Sequence, residues 1–154
     1  MRIMSFLAAV GFVAAIFTPG WAQADKDETK KLQGAWVLTK LMVGGVEVPE
    51  KDIKGTRFVF EGDKLTVVPA LPEVDTVDKR TFTFKLDPKQ KPAAVDLTAL
   101  DGDAKGTVSP GIYELKGDTL RWCQSDDEKN KERPKTFESP DKSRIYVFTF
   151  KRAK

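Results

Sequence analysis

The chain has 154 residues, with 26 Lys and Arg against 23 Asp and Glu, one cysteine and no histidine. Without an imidazole the Ser-His-Asp, Cys-His and HExxH chemistries are excluded, and the commonest zinc ligand is missing. A single thiol rules out an intramolecular disulfide, and the interspersed charges, net +3, make no electrostatic case for nucleic acid or anionic lipid.

The first element is an export signal. Arg2 forms a basic start, an apolar run follows from Ile3 to Phe17, Pro19-Gly20 breaks it, and Ala22-Gln23-Ala24 has the small-x-small form of a cleavage site. The run is shorter than the roughly 20 apolar residues that span a bilayer, and no cysteine near the cut invites lipidation. We therefore expect residues 1–24 to be a signal peptide and residues 25–154 to be one exported domain, periplasmic or extracellular. Cleavage would remove one charged residue, Arg2, and leave no membrane span.

From Asp25 to Gln33 the chain is polar around Leu32, which predicts a short helical turn or frayed lead-in stopping at Gly34. A period of two begins at Ala35, with Trp36 and Leu38 on one face and Val37 and Thr39 on the other. Gly44-Gly45 supplies the positive φ angles of a tight turn before Val46-Glu47-Val48, a hairpin or a strand with a bent end. Pro49 to Gly55 suits a single helical turn, too short to matter much. Arg57 to Phe60 and Lys64 to Val67 flank Glu61-Gly62-Asp63, which predicts a hairpin with a three-residue loop and with Phe58, Phe60, Leu65 and Val67 on its core face.

Pro69 to Asp78 lacks periodicity and predicts a surface loop. Thr81-Phe82-Thr83-Phe84-Lys85-Leu86 alternates as a half-buried antiparallel strand requires, and Ala94 to Leu97 resumes extended structure after a turn bracketed by two prolines. Gly111 to Leu115 and Thr119 to Cys123 form a second hairpin through Lys116-Gly117-Asp118. Ser125 to Lys135 is a charged loop, and Ser143 to Arg152 is a closing strand. About eight strands at intervals of roughly ten residues favour a closed barrel or a sandwich, all-β and antiparallel.

Several pieces occur in a telling order: Leu32-Gln33-Gly34-Ala35-Trp36, Phe60-Glu61-Gly62-Asp63, Lys91-Pro92 with Val95-Asp96-Leu97, Gly111 to Leu120 with Cys123 behind it, and Arg133-Pro134 with Phe137. On these residues the chain, from about Leu32 to Arg152, resembles an exported lipocalin-like domain family of unknown function found in planctomycete-type bacteria. The resemblance implies a small up-and-down β-barrel related to the calycins, with no established activity. Gly34-Ala35-Trp36 is similar to the Gly-x-Trp that opens the first lipocalin strand, where the indole closes the barrel base under a basic side chain of the last strand. Lys151 or Arg152 would take that part. Against a true lipocalin, the chain is short, lacks a long C-terminal helix and has no disulfide. Gly34, Trp36, Gly111, Gly117, Asp118 and Arg152 are taken as structural positions.

An eight-stranded barrel is just wide enough to be filled by its side chains or to hold one small ligand, and the sequence leaves both open. Tyr113, Arg121, Trp122 and Arg133 combine aromatic surface with polar tips near strand ends, so they are the candidate ligand-binding residues at the mouth of a cup. Core packing and a loop-carbonyl contact for Arg133 are the competing account. Asp101-Gly102-Asp103 and Asp126-Asp127-Glu128 lack EF-hand spacing, and no metal site or other cofactor is expected. Cys123 shares a strand face with Arg121, which could lower a thiol pKa, but with no histidine to act as its base a buried structural cysteine is expected rather than a nucleophile. The expected function is a non-enzymatic, monomeric binding module for a small apolar or amphipathic ligand. The alternative is a filled-barrel envelope module that meets another protein through residues 71–78 and 125–135 or a strand edge.

Overall fold

In the computed structural model, which describes residues 20–69, 80–127, 129 and 131–154, the alternating segments pair into one antiparallel sheet that closes on itself. The elements are α1 (Gly20–Leu32), β1 (Gly34–Val43), β2 (Val46–Glu47), α2 (Glu50–Ile53), β3 (Arg57–Glu61) and β4 (Lys64–Val68). β5 (Arg80–Asp87), β6 (Ala93–Ala99), β7 (Val108–Lys116), β8 (Thr119–Ser125) and β9 (Ile145–Arg152) follow. β1 and β3 to β9 run in sequence order, and β9 pairs back to β1, so eight strands make the barrel and β2 is appended to the second half of β1. This is the small all-β barrel expected, with a helix at its start. The first 19 residues of the expected signal and residues 70–78 of the expected loop lie outside the described residues.

Turn chemistry sets the register. At Gly44-Gly45 both central residues have positive φ, 54° and 82°, as a type I′ hairpin needs. The two Gly-Asp turns are tighter than the sequence reading: Glu61 pairs with Lys64 and Lys116 with Thr119, leaving two-residue rather than three-residue connections. Gly62 and Gly117 take the positive φ of the first central position, 62° and 55°, and the aspartates behind them do not, which is the type II′ pattern.

Alternation then decides what enters the core. Trp36 and Leu38 point inward, and a bulge at Thr39 shifts the phase so that Leu41 and Val43 follow them to the same side, opposite Phe148 and Tyr146. Phe58, Phe60, Leu65 and Val67 share the core face as expected. Two short elements count for more than the sequence suggested. α2 buries Ile53 in the main core. α1 is 13 residues long, not a single turn, and begins at Gly20, so it runs through the expected cleavage point at Ala24. A run of helix formers with a Glu28–Lys31 ion pair at 2.8 Å accounts for its second half.

α1 seals one end of the barrel. Leu32 is fully buried, and its carbonyl accepts the Trp36 indole N–H at 2.8 Å. The Gln33 amide clamps the β3–β4 turn, accepting from Gly62 N at 2.7 Å and donating to Gly62 O at 3.0 Å. Arg152, rather than Lys151, lies over Trp36, with its guanidinium carbon 4.3 Å from the ring centroid. It donates to the carbonyls of Lys31 (2.8 Å) and Gln33 (3.1 Å), the groups left without partners at a helix C-terminus, and its Nε lies 3.3 Å from Asp118.

Candidate functional site

Burial falls from the α1 end to the other on β1, β4, β5 and β9, whereas β3 and β8 stay buried along their inward faces and β6 stays buried on its inward face from Val95 to Ala99. On β1 Trp36 and Leu38 are buried while Leu41 and Val43 are half-buried; on β4 Leu65 is buried and Val67 is half-buried. On β5 Leu86 and Phe84 give way to half-buried Phe82 and then to exposed Arg80, which pairs with Val67 on the inner face. On β9 fully buried Phe150 gives way to half-buried Phe148 and Tyr146, whose rings stack at 5.9 and 6.1 Å along the wall. The α1 end is packed solid with Trp36, Phe60, Tyr113, Leu120 and Phe150. The far end is less covered: the one-turn α2 lies beside it with Ile53 buried, but several apolar inward side chains stay half-buried, and it forms the candidate site. Its lip also carries Val46 and Val108, the exposed large hydrophobics among the described residues, at 65% and 45% exposure.

One polar group sits in this inner wall. Gln124 follows Leu120 and Trp122 on the inward face of β8 and is 8% exposed. Its Oε1 accepts the Trp122 indole N–H at 3.0 Å, and its Nε2 donates to the Ser109 carbonyl at 2.6 Å. Those two partners fix which end of the amide is which. Gly111, opposite Gln124 on β7, makes the room: a Cβ there would lie 2.5 Å from Gln124 Oε1 and 2.6 Å from the Cys123 carbonyl. Gly111 is thus a glycine at a close approach of two strands.

The four residues expected at the mouth do not gather there. Trp122 is inside and fully buried at mid-barrel, one residue pair from the open end. Tyr113 is inside but at the sealed end, where its hydroxyl lies 3.4 Å from Glu28 Oε2; burial, and then the Glu28 carboxylate, push its pKa well above the ordinary value. Arg121 and Arg133 are outside the barrel, because alternation turns Arg121 away from Trp122. The Arg121 guanidinium covers Phe137, from the β8–β9 connection, at 4.4 Å.

Arg133 reaches from that connection to the outer surface of β6 and β7. It donates to Val95 O (2.9 Å), Gly111 O (2.8 Å) and Asp96 Oδ1 (2.8 Å). β7 contains Pro110, a residue with no N–H to give in the middle of a sheet, and the guanidinium supplies donors beside it. With Lys85, Asp87, Gln90, Ala94 and Asp96 it also lines a shallow cleft of about 320 Å³ on the outer surface. Cys123 belongs to a second, outer cluster with Ile112 and Val147 under Phe137 and Ile145. There burial outweighs Arg121 and raises the thiol pKa to about 11, against the lowering that adjacency in sequence suggested.

Of the loop carboxylates, Asp101 Oδ2 accepts Thr81 N at 3.0 Å and Glu128 lies outside the described residues; among the described residues no group of three or more acidic or cysteine side chains is placed to hold a metal ion. Among the described residues no helix is long and apolar enough to cross a membrane. The sequence reading missed Gln124 and the half-buried rim. The available signal was a lone amide on the face of β8 that otherwise carries Leu120 and Trp122. Comparisons with family models, curated proteins and solved structures find no match for the chain.

Proposed function

We propose that this protein is a non-enzymatic binding module, exported to the periplasm or cell exterior and monomeric, that holds a small apolar or amphipathic ligand at the open end of its barrel. The observation that carries the reading is the burial gradient, which leaves Leu41, Val43, Val67, Phe82, Tyr146 and Phe148 facing inward and half-buried. Covering such a wall gains about 25 cal/mol for each Å² of apolar surface removed from water. A concave apolar wall with one oriented polar group is the general form of a small-molecule site.

Native mass spectrometry of the protein purified from its own export route, followed by a denatured extract, tests this. A reproducible small molecule released on unfolding, and a melting temperature raised by members of a panel of fatty acids, quinones and isoprenoids, are the expected results. A bare mass and an unmoved melting temperature across that panel would contradict it. The second reading, an envelope interaction module, draws on Val46 and Val108, which stand exposed at the same end and suit a protein surface better than a small ligand. It would gain from the bare-mass result.

A further inference from the structure

We propose that the open end selects ligands whose polar head is neutral and hydrogen-bonding, such as a hydroxyl, keto or amide group, and that Gln124 reads that head. The inference rests on the binding reading above and adds the ligand class. A primary amide has two N–H donors and two acceptor lone pairs. Trp122 takes one lone pair and the Ser109 carbonyl takes one N–H, so half of the hydrogen-bonding capacity of a nearly buried group remains for something else. The amide cannot turn to satisfy itself, because both partners hold it. A head group that both accepts and donates completes it, and one that does either satisfies half of what remains.

Charge decides against an ionised head. Tyr146 lies directly opposite Gln124 on β9, and Ser109 and Gly111 adjoin it on β7, so its direct neighbours across the sheet carry no formal charge; the next pair toward the lip, Asp126 and Arg144, is exposed and opposite in sign. A carboxylate or an ammonium moved there would lose its hydration without a counter-ion, whereas a neutral head exchanges hydrogen bonds with water for hydrogen bonds with the amide. Cations stand exposed at this lip: Arg80 on β5, with β6 and β7 between it and β8, and Arg144 just before β9, opposite Asp126.

The test uses four ligands with one chain and different heads: decanol, decanamide, decanoate and decylamine, titrated into the purified protein by calorimetry with Trp emission followed in parallel. We expect decanol and decanamide to bind about tenfold or more tighter than decanoate and decylamine, the scale of one hydrogen bond set against an unpaired charge. Gln124→Leu should bring the four within about twofold of one another. Gln124→Glu, which keeps an acceptor for the Trp122 indole, should turn the preference toward decylamine. Decanoate binding as tightly as decanol in the wild-type protein, with Arg80→Gln abolishing that binding, would overturn the inference and leave the open-end site standing. No binding by any of the four would instead remove the site itself.

Discussion

Leu65 and Val67 lie two positions apart on β4 and face the same interior, yet Leu65 is sealed from water and Val67 is only half-buried. Phe150 and Phe148 repeat the contrast on β9, as do Leu38 and Leu41 on β1. Within each of these pairs both side chains are apolar, so hydrophobicity alone does not separate them. What differs is the covering. α1 lies across one end, with Leu32 in the core and its last carbonyls taken by Arg152 and Trp36. The sealed end therefore carries the stability, and the other end leaves apolar surface accessible, where the proposed ligand would sit.

Four perturbations sharpen or break this contrast. Trp36→Ala should have the largest effect, about 3–5 kcal/mol lost in urea unfolding, because it empties the sealed end and removes the ring under Arg152. A loss below about 1 kcal/mol would show that this end does not carry the fold. Gly111→Ala comes next, at roughly 1–3 kcal/mol, since its Cβ would collide with Gln124 and a strand carbonyl. A shift in Trp122 emission should accompany it as the Gln124 amide is pushed off the indole; an unchanged spectrum would mean that the backbone, not the amide, had moved.

Phe148→Ala should cost less, about 1–2 kcal/mol, because the ring is already part-solvated, but it should weaken ligand binding far more than Trp36→Ala does in protein that is still folded. Equal effects of the two on binding would erase the distinction between the ends. The smallest effect is the pH dependence of Cys123, on the outer surface. Its thiol titrates near 9 ordinarily and at about 11 in the fold, so above pH 9 the unfolded chain gives up its proton first. Stability should be level up to about pH 9, by this group, and then fall toward pH 11. Cys123→Ala should remove the early part of that fall. Tyr113, whose pKa is also raised, adds a later part at the sealed end. An alkaline slope unchanged by Cys123→Ala would show that the thiol is not sealed.

The barrel was legible because period-two alternation and Gly-Asp turns are local signals, readable one strand at a time. The core face of Phe58, Phe60, Leu65 and Val67 follows from them, whereas the meeting of Trp36 with the last strand was implied by the resemblance alone. The site was not legible in the same way. Tyr113, Arg121, Trp122 and Arg133 were grouped by chemistry and by nearness to strand ends, but which end and which face depend on register and on where the β8–β9 connection lies. Alternation does place Arg121 opposite Trp122, and applying it to the site as strictly as to the core would have separated them. That Arg133 would serve Val95 and Gly111 carbonyls beside Pro110 depends on contacts distant in sequence, which no local pattern carries.

The most direct test of the contrast between the ends is a titration of labelled protein with decanol, following the indole N–H resonances of Trp36 and Trp122 by NMR. Trp122 is tied to the Gln124 amide at the open end and Trp36 to the Leu32 carbonyl at the sealed end. The account predicts that the Trp122 signal moves in a saturable way while the Trp36 signal stays in place. A Trp36 signal that moves as far as Trp122, or a Trp122 signal that never moves, would contradict it.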